Sequence, residues 1–147
     1  MRRILFGILL LFVGSAWAQD YTEKYNEFYD RTEFFDKSGK KIGYKKYNEF
    51  YNRWEYFDAN GKLYKKEKRN EFYNRNEFHD KNGKLQGYEK ENEFYNRTEM
   101  YDANGKKIGY KKYNDFYNRW EVFDQNNRKI GYYKWNDFYK RWDYTKM

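Results

Sequence analysis

The chain repeats itself every 22 residues, and this regularity constrains its fold more than any other feature. The copies read YNEFYDRTEFFDKSGKKIGYKK from 25, YNEFYNRWEYFDANGKLYKKEK from 47, RNEFYNRNEFHDKNGKLQGYEK from 69, ENEFYNRTEMYDANGKKIGYKK from 91 and YNDFYNRWEVFDQNNRKIGYYK from 113. A half copy, WNDFYKRWDYTKM, closes the chain from 135. No insertion or deletion breaks the spacing. Equal units at equal intervals predict one backbone used repeatedly, each unit meeting the next in the same way.

Within a unit, stretches such as RWEYFD and KIGYKKY favour extended structure. Between them lies D-x-N-G-K, with Asp58 and Gly61 in the second copy. An Asp side chain holds such a turn while Asn and Gly accept positive φ, so each unit is predicted to be a β-hairpin. Asn127 replaces the glycine in the fifth copy, and asparagine tolerates the same conformation. The other connection, NEFYN, keeps its Asn, Phe, Tyr and Arg in all six copies, as in Asn48, Phe50, Tyr51 and Arg53. These scaffold positions are expected to act as follows: Phe buried between hairpins, Asn as the local hydrogen-bonding group, Arg as a stacking or ion-pair partner. Glu55 follows Arg53 at a spacing of two, on the same strand face, within reach of a cross-strand lysine.

No proline and no helical periodicity occur after the first segment. The expected fold is therefore all-β: about six antiparallel hairpin repeats in an elongated single-layer meander, with a hairpin solenoid as the alternative. Residues 1 to 18 stand apart, with Arg2 and Arg3, the apolar run ILFGILLLFVG and small residues at Ala16 and Ala18. That pattern predicts a secretory signal peptide cut near Ala18. The apolar run falls short of the ~20 residues that span a bilayer. Residues 19 to 147 then form one repeat domain, secreted or periplasmic, with no transmembrane segment after cleavage. With no cysteine there is no disulfide framework or thiolate metal site, which suits a bacterial envelope.

The net charge is +8, reduced by two when Arg2 and Arg3 leave with the signal. Charges of both signs are interleaved, the pattern of a solvated surface with a modest bias towards anionic partners. Aromatic residues make up 25% of the chain, so rings must do the packing that aliphatic side chains do elsewhere.

The segments EYFDANGK at 55 to 62, EMYDANGKKIGY at 99 to 110 and EFFDKSGKKIGY at 33 to 44 resemble the MORN repeat and the bacterial MORN-like repeats of the antitoxin-component type. The resemblance implies an extended β-sheet that serves as a scaffold or contact surface, without catalytic residues. RWEYFDANGK at 53 to 62 is similar to the repeats of choline-binding cell-wall modules, whose aromatic cages hold a quaternary ammonium. Trp54, Trp120 and Trp142 occupy the matching position, with Thr32, Asn76 and Thr98 in the other copies. The signal peptide and repeat length also resemble curli-type amyloid subunits, but the dense charge here opposes dry stacking.

Catalytic chemistry is scarcely represented. His79 fills a slot held by Phe35, Phe57, Tyr101 and Phe123 elsewhere, and reads as an aromatic substitute. Ser38 lies in a turn, with no histidine partner assembled. Glu55 and Asp58 resemble an acid and base pair, but the same acids recur in other units, which favours a structural role. D-x-N-G opens like a calcium loop, yet it is too short and lacks the closing bidentate glutamate. Asn96-Arg97-Thr98 is an isolated glycosylation triplet.

No catalytic, metal or cofactor site is therefore expected. The candidate ligand-binding residues are Trp54, Trp120, Trp135 and Trp142, because they break the repeat symmetry. The expected function is a secreted, non-enzymatic binding or scaffold module at the bacterial cell envelope. An anionic glycan, a lipid headgroup or an envelope protein is its expected partner, and no specific nucleic acid. The alternative is a self-assembling structural subunit of an extracellular fibre or matrix, associating end to end through the exposed edges of its first and last strands.

Overall fold

A computed structural model describes residues 20–147 of the 147-residue chain; the expected signal peptide lies outside the described residues. Twelve antiparallel strands follow one another in chain order. They are β1 (Tyr21–Asn26), β2 (Arg31–Asp36), β3 (Lys41–Asn48), β4 (Arg53–Asp58), β5 (Leu63–Asn70) and β6 (Arg75–Asp80). β7 (Leu85–Asn92), β8 (Arg97–Asp102), β9 (Lys107–Asn114), β10 (Arg119–Asp124), β11 (Lys129–Asn136) and β12 (Arg141–Lys146) complete the set. Each strand pairs with its predecessor, and β1 pairs with β12, so the sheet is a closed barrel.

The expected open meander is thereby corrected: the hairpins are right, but the sheet returns on itself. The physical reason lies in the twist and coil that each identical unit adds to the one before. The seam reuses the register of the hairpins. Trp142 faces Glu23 and Tyr144 faces Tyr21, as Thr32 faces Lys45 and Phe34 faces Gly43 between β2 and β3. The two chain ends thus supply the two strands of a hairpin that has no connecting turn. Asp20 secures this seam by accepting the Lys146 backbone N–H at 2.8 Å.

The D-x-N-G-K turns form as expected. In the second copy Gly61 N–H donates to the Asp58 carbonyl at 3.0 Å, and Asp58 N–H donates to the Lys62 carbonyl at 2.9 Å. Asp58 Oδ1 accepts the backbone N–H groups of Asn60 and Lys62, both at 2.9 Å. Gly61 sits at φ +80°, and Asn127 takes that place in the fifth copy at φ +64°. This is a three-residue hairpin loop closed by a left-handed residue, and the ladder shifts by one residue beside it.

Alternation along each strand sends one set of side chains inward. Phe34, Tyr56, Phe78, Met100, Val122 and Tyr144 occupy one equivalent inner position, and all are buried. Full burial of one such side chain contributes about 1.5 to 3 kcal/mol. The same inner face carries Glu23, Lys45, Lys65, Glu67, Glu89 and Lys111, also buried. The expectation that the interleaved charges form only a solvated surface is therefore corrected. Three acids and three lysines balance inside the wall, where an unpaired charge is costly. Lys111 Nζ lies 3.3 Å from Glu89, and Glu67 accepts from the Tyr56 hydroxyl at 2.5 Å and from Asn76 at 2.8 Å. Burial pushes the Lys65 ammonium down to about 7, against the attraction of Glu67 and Glu89.

Candidate aromatic mouth and crown

The NEFYN connections all lie at one end of the barrel and the D-x-N-G-K turns at the other, because the strands are antiparallel and sequential. Each NEFYN loop has four residues between its strands, and its last residue is left-handed, as at Asn52 with φ +53°. Asn48 caps the loop: its Oδ1 accepts the Tyr51 N–H at 3.1 Å, while its Nδ2 donates to Glu55 at 3.0 Å. Arg53 grips the same carboxylate at 2.6 Å and lies 4.3 Å from the centre of the Tyr51 ring. In the first copy Arg31 is sandwiched between Tyr29 and Tyr44, at 4.6 and 4.0 Å. The expected roles of Asn, Arg and Glu hold. On β10 burial acts to raise the Glu121 carboxyl, but hydrogen bonds from Asn114, Lys129 and Arg119 outweigh it and hold the group at about 2.

The expectation for phenylalanine fails. Phe28, Phe50, Phe72, Phe94, Phe116 and Phe138 are each 85% to 89% exposed. The reason is local: these residues sit in the loop, outside the strand alternation, and the cap made by Asn and Arg fixes the loop with Phe outermost. Each phenyl meets the next tyrosine edge to face, at 4.9 Å for Phe50 and Tyr51. The result is a crown of six exposed aromatic pairs around one end.

Just inside the crown lies the last inward-facing layer of the wall, and the structure places all four candidate tryptophans there. Trp120, Trp135 and Trp142 stand on the consecutive strands β10, β11 and β12, and Trp54 stands on β4. Cross-strand partners meet edge to face: Tyr47 with Trp54 at 5.3 Å, Tyr113 with Trp120 at 5.3 Å, Trp135 with Trp142 at 5.5 Å. Tyr25 on β1 lies between Trp142 and Tyr47 in the strand order. The aromatic arc therefore runs from β9 through the seam to β4, interrupted at β2 by Thr32. Trp135 is 41% exposed, and Trp54, Trp120 and Trp142 pack from above against the buried core.

The remaining arc, β5 to β8, is polar. Arg69 and Asn76 face each other there, as do Glu91 and Thr98. Thr98 donates to Glu91 at 2.8 Å. Several mouth side chains are pinned by their own loops: Tyr25 bonds Asp30, Tyr47 bonds Asn52, Arg69 bonds Asn74 and Tyr113 bonds Asn118. Nζ of Lys45, one layer deeper, stands 5.3 Å from the centre of the Trp54 ring.

The other singled-out groups lie elsewhere. His79 faces outward on β6, with Nε2 3.7 Å from Glu77. Ser38 donates to Asp36 within its turn at 2.6 Å. Among the described residues no group of three or more His, Asp or Glu side chains is arranged to hold a metal. Sequence reasoning missed the polar arc and the buried charges. For two of them the signal was present: Lys45 and Lys111 lie two residues from the inward Tyr47 and Tyr113 on their own strands.

No helix of the described residues is long and apolar enough to cross a membrane. The chain matches no family model, and no curated protein or solved structure matches it, so its functional reading stands on this geometry alone.

Proposed function

We propose that the protein is a secreted, non-enzymatic binding module of the cell envelope that takes a glycan at its tryptophan-lined mouth. The observation that carries this reading is the convergence of Trp54, Trp120, Trp135 and Trp142 on one inner layer at one end. Aromatic faces stack on the apolar faces of sugar rings, and the facing arc of Arg69, Asn76, Glu91 and Thr98 offers donors and acceptors for hydroxyl or carboxylate groups. The arrangement departs from the repeat where a recognition site must, since a sixfold wall has no reason to be aromatic on one side and polar on the other.

The outer wall supports a water-facing barrel. Arg and Glu pairs recur on it, as Arg31 with Glu33 at 2.7 Å and Arg97 with Glu99 at 3.0 Å, where a membrane-spanning barrel carries an apolar band. β1 and β12, which were to offer free edges for fibre growth, pair with each other instead. That favours the binding module over the self-assembling subunit.

The test is co-sedimentation of the protein with peptidoglycan, lipopolysaccharide and acidic polysaccharide at low and high salt, with tryptophan emission recorded in parallel. Saturable, salt-resistant binding to one of these, lost in Trp120→Ala with Trp142→Ala while the melting transition persists, is the expected result. Binding to none, or to all alike with loss in salt, defeats the proposal.

A further inference from the structure

The outer face of the wall carries a repeated side-chain arrangement of its own, and at the seam one member of it changes. On β3, Tyr44 lies between two neighbours: the Arg31 guanidinium at 4.0 Å from its ring centre and the Phe57 ring stacked at 4.8 Å. Tyr88 lies in the same way between Arg75 and Tyr101, at 4.0 and 4.9 Å. Tyr110 repeats the arrangement between Arg97 and Phe123, at 4.0 and 4.7 Å. Each sandwich joins a cation–π contact to a ring stack.

On β1 the equivalent residue is Thr22. It faces Asp143 and Phe35 across the ladders, as Tyr44 faces Glu33 and Phe57. Both flanking groups are kept, Arg141 on β12 and Phe35 on β2, while the residue between them is too short to reach either face. Arg141 lies 4.5 Å from the Tyr139 ring on one side, as Arg31 lies on Tyr29. Its other side is uncovered. The Arg141 side chain is 32% exposed, twice the 16% of Arg31, and Asp143 is 30% exposed against 10% for Glu33. On β5, the other strand without this tyrosine, the longer Lys66 stands in the place and Arg53 is 21% exposed.

The result at the seam is a cleft of about 400 Å³, whose lining includes Thr22, Lys24, Phe35, Gly39, Arg141 and Thr145. Its volume falls within the range of small-ligand pockets. The far end of the cleft fits the same account. A Cβ placed at Gly61 would lie 3.9 Å from the Tyr44 hydroxyl and one at Gly105 would lie 3.4 Å from the Tyr88 hydroxyl, whereas one at Gly39 would meet nothing within 4 Å. The open space therefore runs from the ring position to the hydroxyl position that a tyrosine occupies elsewhere on the wall.

We propose that this cleft binds a phenolic ring from outside the chain, seated between the Arg141 guanidinium and the Phe35 ring. The protein supplies the template, since Tyr44, Tyr88 and Tyr110 are each held by the same pair of groups. An electron-rich ring is favoured because the guanidinium meets its π face. No residue of the tryptophan-lined mouth takes part, so this site and the glycan site fail independently.

Nuclear magnetic resonance titration of the full chain with p-cresol, which is the tyrosine side chain as a free molecule, tests the proposal up to millimolar concentration. Methylcyclohexanol, which keeps the shape and the hydroxyl but has no π face, is the control. The expected result is ring-current shifts at Thr22, Phe35 and Arg141 with p-cresol and none with the control. Arg141→Ala should weaken binding about fivefold, the worth of one partly exposed cation–π contact. Thr22→Tyr completes the wall and should abolish the shifts while raising the melting temperature. Tyr44→Thr should open a second site, read as new shifts at Arg31 and Phe57. A glycine-flanked tyrosine peptide distinguishes the sources of the ring: shifts like those of p-cresol assign it to a polypeptide, and their absence assigns it to a small ligand. Equal shifts with the saturated control, binding that persists in Thr22→Tyr, or a folded Tyr44→Thr without a second site would each overturn the proposal. Binding seen only in Trp17→Ala would overturn it as well, because the occupant would then be a ring of the chain itself.

Discussion

The two ends of the barrel are built from equally tight turns yet have opposite surfaces. At the D-x-N-G-K end, Asp58 and its equivalents turn inward on the backbone N–H groups, and only small, amide or charged side chains remain outside. At the NEFYN end, Asn48 does the same work for its loop, but the residue left outermost is Phe50. Since an aspartate turn closes a hairpin without exposing a ring, the crown is not a requirement of the fold. The comparison separates what holds the wall together from what one end presents to its surroundings.

The largest effect belongs to neither end. Tyr56→Ala, at a side chain with 0% exposure and a hydrogen bond to Glu67, should cost about 3 to 5 kcal/mol in urea unfolding. If it proves mild, the wall is not the source of stability and the contrast between ends loses its meaning. Acid comes next. Glu121 has a folded-state value of about 2, below its usual 4.5. Its stabilisation is therefore complete above about 4.5 and is lost as pH falls through about 2. A melting temperature that declines across that window, less steeply in Glu121→Gln, checks the cluster beneath the crown. Asn48→Ala removes the loop cap and leaves Glu55 without one donor, at an expected cost of about 1 to 2 kcal/mol. Asp58→Ala should cost about 1 kcal/mol at the opposite end. Similar values would show that both ends are held alike. Phe50→Ser should change stability by no more than about 0.5 kcal/mol, and a larger loss would return that ring to the structural account.

The strands and both kinds of turn were legible in the sequence because their causes are local. Asp58, Gly61 and Asn48 act on backbone groups a few residues away, and Arg53 acts on Glu55 two positions on. The selection of tryptophans was legible for a different reason: an exception is easy to see against a strict repeat. Closure was not legible, because no residue carries it; the curvature is a small increment per unit that becomes visible only after all twelve strands. The orientation of Phe50 was misread because a hydrophobic residue at constant spacing suggests a core, and only the loop geometry set by Asn48 and Asn52 shows that it stands outside the alternation. The buried lysines were misread in the same way, since Lys45 and the outward Lys46 are adjacent in sequence and alike in type.

The seam between β1 and β12 gives the chain a property that open tandem arrays lack. An open array tolerates one unit more or fewer, since the last copy simply moves outward. A ring must come out whole. Deleting 22 residues would leave Tyr21 and Tyr144 apart, unless every remaining junction bent further than it does here. Adding 22 would push them past each other. The repeat number and the curvature per unit are thus matched, and an error in copying the repeat would appear as a lost seam.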